Sequence, residues 1–285
     1  MKGKLIQTLV LILLVVLNLI LLILYLVELR STRMITQESI DRVVALYEAE
    51  NLSFEAQIGR TVKSRETISL KAADLDGMVT KYLGSRDYNR TYIYGNKIQY
   101  RTETLVLLAD WSAHSISYRD SAFEKTEEES PPHKLTAQEQ EMLMAAGRRF
   151  AQQWLGEEVM LMSMVGTDGV LTMTFCQLQS GELMYFNKVA VTLVPGGVRS
   201  AEIQYWDIDS EQTRIESKPV DELLYQMLPE ICADLAKSPD RESDTVEELI
   251  DGYEIISLSR DTAIACPNLT LVLTSGNYYH LRYTG

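Results

Sequence analysis

Apolar positions follow three regimes along the chain. From Leu5 to Val27, in LIQTLVLILLVVLNLILLILYLV, they are nearly continuous. About 23 residues at roughly 1.5 Å each reach about 34 Å, enough to cross a hydrocarbon core of roughly 30 Å with some tilt. Helical spacing follows. Thr36 is placed as an N-cap, and Ile40, Val43, Val44 and Tyr47 recur at i, i+3, i+4 and i+7, which predicts a short amphipathic helix. Extended stretches around Ser53–Ile58 and Glu66–Leu70 precede a second helix over Ala72–Leu83, stopped by Gly84 where a left-handed residue is needed. In RTYIYGNKIQYRTETLVLLA the Gly95-Asn96 pair separates two Tyr- and Ile-rich runs and predicts a hairpin, extended by a third run over Glu103–Ala109.

The segment RDSAFEKTEEESPPHKL, Arg119–Leu135, breaks the pattern: acidic residues, serines and two prolines bury too little apolar area to offset their ordering entropy. After it, Thr136-Ala-Gln-Glu139 forms a capping box, and Leu143, Gly147, Phe150 and Trp154 share one face of a helix predicted over Thr136–Leu155. The period then changes to two. Val159–Val165, Val170–Gln177, Leu183–Val194 and Val198–Asp207 read as strands joined by Asp168-Gly169, Ser180-Gly181 and Pro195-Gly196-Gly197, an antiparallel meander covered by the preceding helix. A shorter version follows: a helix from Lys218-Pro219-Val220 to about Ala236, an acidic loop, and strands at Tyr253–Ser259, Leu269–Thr274 and Tyr278–Tyr283.

The expected fold class is therefore α+β, a single N-terminal transmembrane helix followed by recurring units of helix and antiparallel strands. The expected organisation is residues 1–4 as a cytoplasmic N-terminus, 5–27 as the anchor, 28–118 as a membrane-proximal subdomain, 119–135 as linker and 136–285 as a distal subdomain. The anchor ends in Tyr25-Leu-Val-Glu-Leu-Arg30, without a small-x-small cleavage site, so it reads as uncleaved. Lys2 and Lys4 on one flank balance Arg30 and Arg33 on the other, and orientation stays open on charge alone.

Charge narrows the partners. The formal net charge is −13, and residues 1–33 hold Lys2, Lys4, Arg30 and Arg33 against Glu28, a net +3 that leaves −16 on residues 34–285. A domain this acidic repels nucleic-acid phosphates and anionic headgroups, which makes protein the expected partner. Cys176, Cys232 and Cys266 are far apart and show neither zinc spacing nor a disulfide framework.

Candidate chemistry is sparse. The chain contains no G-x-S-x-G, H-E-x-x-H, G-x-x-x-x-G-K-[ST] or G-x-G-x-x-G. His114, His133 and His280 are the available imidazoles, and each reads as a packed or solvated side chain before a catalytic base. The acidic clusters EKTEEES and SPDRESDTVEEL read as solvated charge runs, although two carboxylates across a cleft would suit a glycosidase. Tyr278, Tyr279 and Tyr283 fit sheet packing better than an exposed recognition surface. No catalytic residue, cofactor, metal or small-molecule substrate is expected. Asn18 stands apart, because a side-chain amide in hydrocarbon is costly unless hydrogen-bonded, which makes it a candidate contact with another transmembrane helix.

LILLVVLNLILLILYL, together with ITQESIDRVVALYEAENLSF, QLQSGELMYFNKVAVTLVPGGVRSAEIQYW and TAIACPNLTLVLTSGNYYHLRYTG, resembles the YycI family and, more distantly, YycH: membrane-bound regulators of the WalK sensor histidine kinase in Gram-positive bacteria. The likeness runs over nearly the whole chain. It implies a cytoplasmic N-terminus, an extracytoplasmic helix-on-sheet domain, no catalytic activity, and action on the kinase through span and ectodomain beside a sister regulatory protein. Two other classes remain open: an anchored envelope enzyme acting on wall polymer, and an envelope-binding module for which the span is only a tether.

Overall fold

The computed structural model describes residues 14, 16–23, 34–62, 65–123, 135–167, 169–215, 217–237 and 243–283. The protein is mixed α+β, dominated by one large sheet. Helices α1 (Gln37–Ala49), α2 (Leu75–Leu83), α3 (Ala137–Leu155) and α4 (Val220–Leu235) accompany fourteen strands among the described residues. Each helix starts where its sequence supplies an acceptor or a fixed φ. Thr36 accepts from the Ser39 amide, Asp74 from the Gly77 amide, and Thr136 and Glu139 close a reciprocal capping box. At α4, Pro219 holds the N-cap position without a side-chain bond.

The first six strands are β1 (Leu52–Phe54), β2 (Arg65–Ala72), β3 (Asn89–Ile93), β4 (Lys97–Arg101), β5 (Leu105–Asp110) and β6 (Ser115–Asp120). The next five are β7 (Val159–Thr167), β8 (Val170–Gln179), β9 (Glu182–Val194), β10 (Gly197–Gln204) and β11 (Trp206–Ile215), and the last three are β12 (Asp244–Leu258), β13 (Thr262–Leu273) and β14 (Tyr278–Arg282). The main order is β11-β2-β13-β12-β9-β10-β6-β5-β4-β3, with β8 and then β7 branching from β9, β14 pairing β13, and β1 pairing β12 in parallel. The β3–β4 hairpin turns on Gly95 and Asn96, both at positive φ, as the dipeptide predicts. β7 to β10 form the expected antiparallel meander, with Asp168 of its first turn outside the described residues.

The sheet has a waist. β9 and β12 meet through two parallel pairs only, Gly252 with Leu183 and Tyr253 with Met184. One half holds β3–β10 with α2 and α3, and the other holds β1, β2 and β11–β14 with α1 and α4. The chain thus enters the second half, leaves it at Ala72, builds the first half, and returns at Trp206. The boundary expected at residues 119–135 falls inside the first half: β6 pairs β10 along Ser115–Arg119, so hydrogen bonds join strands on both sides of that segment. Residues 124–134, with His133, lie outside the described residues.

Packing follows the same division. The predicted face of α3 is buried, with Leu143, Gly147, Phe150 and Trp154 against Met173, Phe175 and Leu193 of the meander. On the other side Tyr47 of α1 and Leu223, Leu224 and Met227 of α4 pack with Leu269 and Leu271 of β13, and the Tyr47 hydroxyl donates to the Leu224 carbonyl at 2.8 Å. Tyr279 and Tyr283 belong to this core, in keeping with the sheet-packing reading of the C-terminal tyrosines.

Of the run Leu5–Val27, Leu14 and residues 16–23 are described, all helical; the remainder lies outside the described residues. Among the described residues no helix is long and apolar enough to cross a membrane.

Candidate functional site

A cleft of about 630 Å³ opens beside α2 and α3. Its floor is aromatic. The sequence places Tyr82 one residue before the end of α2 and Trp154 one before the end of α3, and the two rings stack at 4.6 Å with an interplanar angle of 18°. Tyr118 and Phe150 meet Tyr82 edge-on at 6.0 and 6.2 Å, and the Arg86 guanidinium lies 5.8 Å above the Tyr82 ring. Ring edges against ring faces and a cation over a π-face are the favourable quadrupole arrangements. The Trp154 indole N–H is buried, and nothing among the described residues accepts from it. Around this floor stand Asp74, Lys81, Gln153, Tyr205 and Asp207. Burial first, and then the Asp207 carboxylate, push the Tyr205 phenol above its ordinary range, so it stays a neutral donor.

Gly77 lies at the rim of this cleft. A Cβ there would stand 2.4 Å from Asp74 Oδ2, the carboxylate that caps the helix. Asp76, in the same first turn, accepts from Tyr100 Oη and pairs with Arg90 at 2.9 Å. The cleft therefore offers ring faces, donors and charges of both signs on a fixed frame, an arrangement suited to binding.

A second cluster is buried at the edge of the other half. Arg65 of β2 pairs with Asp251 of β12, reaches Glu182 at 3.4 Å, donates to Tyr283 Oη at 3.3 Å, and lies 4.4 Å over the Tyr283 ring. Burial, and then Asp251, push the Tyr283 phenol far above its ordinary value, so it donates its proton to Asp251 rather than titrating. A cavity of about 250 Å³ beside it is lined by Gln57, Thr61, Lys218 and Leu249 among others. These groups bind one another across three strands, which is the work of a structural clamp.

The residues singled out from sequence are scattered. Asn18 is helical and exposed; Leu14, Val16, Leu17, Leu19, Ile20, Leu21, Leu22 and Ile23 around it are each 48 to 56% exposed. His114 is buried, at φ 50, with its ring 3.8 Å from that of Trp206. His280 lies across the sheet, 3.3 Å from Glu254 and 5.0 Å from the Tyr185 ring. Burial pushes the Cys176 thiol up to about 12 despite Lys188, so it is inert as a nucleophile. Among the described residues no His, Cys, Asp or Glu group is placed to hold a metal ion.

Neither the Tyr82–Trp154 stack nor the Arg65–Asp251 clamp stands out in the sequence. For Asp251 a signal exists, a charge following Leu249 and Ile250 in a strand-like run, and a charge in a core register needs a partner; Arg65, between Ser64 and Glu66, gives none. For Tyr82 and Trp154 the helical pattern conveys only burial.

Comparison with known proteins gives no matching family model and no matching curated relative. Two solved structures are similar in part. A protein from Eubacterium rectale, described as uncharacterized, shares 10% identity at a TM-score of 0.44, covering 81% of this chain and 85% of that one. The C-terminal domain of YpeB from Bacillus megaterium shares 11% identity at a TM-score of 0.34, covering 75% of this chain and all of that one.

Proposed function

We propose that this protein is a non-enzymatic, membrane-anchored regulator that modulates a two-component sensor histidine kinase of the WalK type. In this reading Leu5–Val27 is a single span, the N-terminus is cytoplasmic, and the α+β domain is extracytoplasmic. The observation that carries it is the helix around Asn18, where eight Leu, Ile and Val side chains, each about half exposed, surround one amide. Such a surface is stable in hydrocarbon and not in water, and its amide gains from a partner helix by about 0.6–2 kcal/mol. The kinase and the sister regulator rest on the resemblance of four sequence stretches to YycI and YycH. An aromatic, doubly charged cleft adds a site for recognition outside the membrane.

The test is crosslinking of the intact protein in its native membrane, comparing wild type, Asn18→Leu and a chain whose span is replaced by an unrelated apolar helix. Recovery of a sensor kinase that weakens in either variant supports docking through the span. Absence of any kinase sinks the reading.

The cleft favours a second reading, an anchored envelope-binding protein or wall-polymer hydrolase. A ring stack with Lys81, Arg86, Asp74 and Asp207 around it matches a polymer of sugars and short peptides. Retention of the full chain on purified cell wall, lost in Tyr82→Ala, supports it; release of sugar or peptide fragments would add the enzymatic form.

A further inference from the structure

The α2–α3 cleft carries its two signs of charge at opposite ends. Asp74 caps the start of α2, Lys81 stands seven residues later in its last turn, and Arg86 follows just past its end. Seven residues at roughly 1.5 Å each separate Asp74 from Lys81 by about 10 Å along the helix. Asp207 belongs to the acidic end. It lies opposite Lys71 in the β2–β11 register, where β2 leads into Asp74, and Lys71 itself pairs with Asp209. Among the described residues none forms an ion pair with Asp74, Lys81, Arg86 or Asp207. Asp74 commits one carboxylate oxygen to the Gly77 amide, and Arg86 rests over the Tyr82 ring.

Between the two ends the lining is Met78, Tyr82 and Trp154. Trp154 is 6% exposed, and its indole N–H has no acceptor among the described residues. A buried donor without an acceptor is unfavourable, and a carbonyl delivered by a bound molecule relieves it. The occupant therefore needs a cation and an anion about 10 Å apart, with a carbonyl and apolar surface between them. An extended peptide rises about 3.3 Å per residue, so three residues with free termini meet that span. The volume of about 630 Å³ lies in the range of sites for ligands of this size. A neutral sugar chain leaves all four charges unmatched.

We propose that the α2–α3 cleft binds a short free peptide, about three residues long. Its ammonium sits at Asp74 and Asp207, its carboxylate at Lys81 and Arg86, and a backbone carbonyl accepts from the Trp154 indole. The inference rests on the cleft being a binding site, as in the second reading above, and narrows its occupant. It needs neither the span nor the kinase.

The experiment uses the full chain in mild detergent and the tripeptide Ala-Phe-Ala, compared with its N-acetylated form, its C-terminal amide, the dipeptide Ala-Phe and tri-N-acetylchitotriose. Binding is followed by titration calorimetry, and the site by the Trp154 indole N–H resonance, assigned with Trp154→Phe. The free tripeptide is expected to bind and to shift that resonance; each capped form and the dipeptide are expected to bind about tenfold more weakly. Lys81→Gln/Arg86→Gln should remove the preference for the free acid over the amide and keep that for the free amine. Asp74→Ser/Asp207→Asn should do the reverse, with serine retaining the helix cap. This crossed pattern separates lost charges from a lost fold, which would remove both preferences. Equal affinity for free and capped peptides, variants that change neither preference, a Trp154 resonance that does not move, or no binding would overturn the proposal. So would binding of chitotriose in place of the tripeptide. Wall retention that Tyr82→Ala abolishes, with no affinity for Ala-Phe-Ala, overturns the peptide and leaves wall binding standing; peptide binding without wall retention does the converse.

Discussion

The carbonyl oxygen of Leu183 lies 2.6 Å from the point that a Cβ on Gly252 would occupy, and Asn268 Oδ1 lies 2.9 Å from the same point. Gly252 is thus the residue that lets β12 approach β9 at the waist of the sheet. The obstructing atom is backbone, which cannot rotate away, so Gly252→Ala is expected to destabilise the protein by about 1–3 kcal/mol, as overpacking does. Urea unfolding of the two proteins checks this. An unchanged midpoint would mean that the two halves touch less closely than the register shows.

Asn268, next to that glycine, is fully buried, and neither of its amide atoms has a hydrogen-bond partner among the described residues. A buried amide left unpaired costs about 1–3 kcal/mol. Asn268→Leu, close in volume, is therefore expected to raise the unfolding midpoint. A fall in stability would show that the amide is paired in solution.

Arg65 and Asp251 test the clamp between β2 and β12. The Arg65 side chain is 7% exposed and that of Asp251 24%. Removing one partner of a buried pair leaves the other charge uncompensated and costs about 3–5 kcal/mol, whereas removing both with apolar residues is often nearly neutral. Arg65→Met is expected to lose about 3 kcal/mol, at the lower end because Asp251 keeps some contact with water. The double variant Arg65→Met/Asp251→Leu should recover part of this loss. A double variant as unstable as the sum of the singles would remove the case for a coupled clamp.

Asp244 sets an acid limit. Burial acts to raise its pKa, but hydrogen bonds from Ser275, Thr274 and the Thr245 amide, at 3.2, 2.8 and 2.9 Å for the Ser275 amide, Thr274 hydroxyl and Thr245 amide, hold the carboxyl below its ordinary value. A folded value below the unfolded one, about 4, gives stabilisation that is complete above pH 4 and lost as pH falls through the folded value. Asp244→Asn is expected to be less stable than wild type by about 1–3 kcal/mol at pH 7. The gap should close below pH 4, and a gap constant with pH would contradict the assignment.

Local signals were read well from the chain. The Thr136–Glu139 capping box, the buried face of α3, the left-handed Gly84 and the Gly95-Asn96 hairpin are all decided by a few adjacent residues, and each is where its residues point. Strands with polar faces were not legible. β11, with WDIDSEQTRI, pairs on one side only and has no need of apolar alternation, and the first half of β12 reads as an acidic loop because Glu247 and Glu248 face solvent. The pairing of β2 with β11 and β13 joins residues 134 to 197 positions apart, and no local pattern encodes partners at that distance. The cleft shared this fate: Tyr82 and Trp154 meet through the packing of two helices, each of which conveys only its own buried stripe.

The excursion of the chain from Ala72 to Trp206 also imposes an order in time. A ribosome or translocon delivers β2 first and its neighbours β11 and β13 last, so β2 waits with both edges open while the eight strands of the other half are made. During that interval the first half can close on its own short-range hairpins, and the waiting strand is a surface on which a newly made chain can misassociate. Completion of the C-terminal strand pair is then the step that converts a partly ordered chain into the finished sheet.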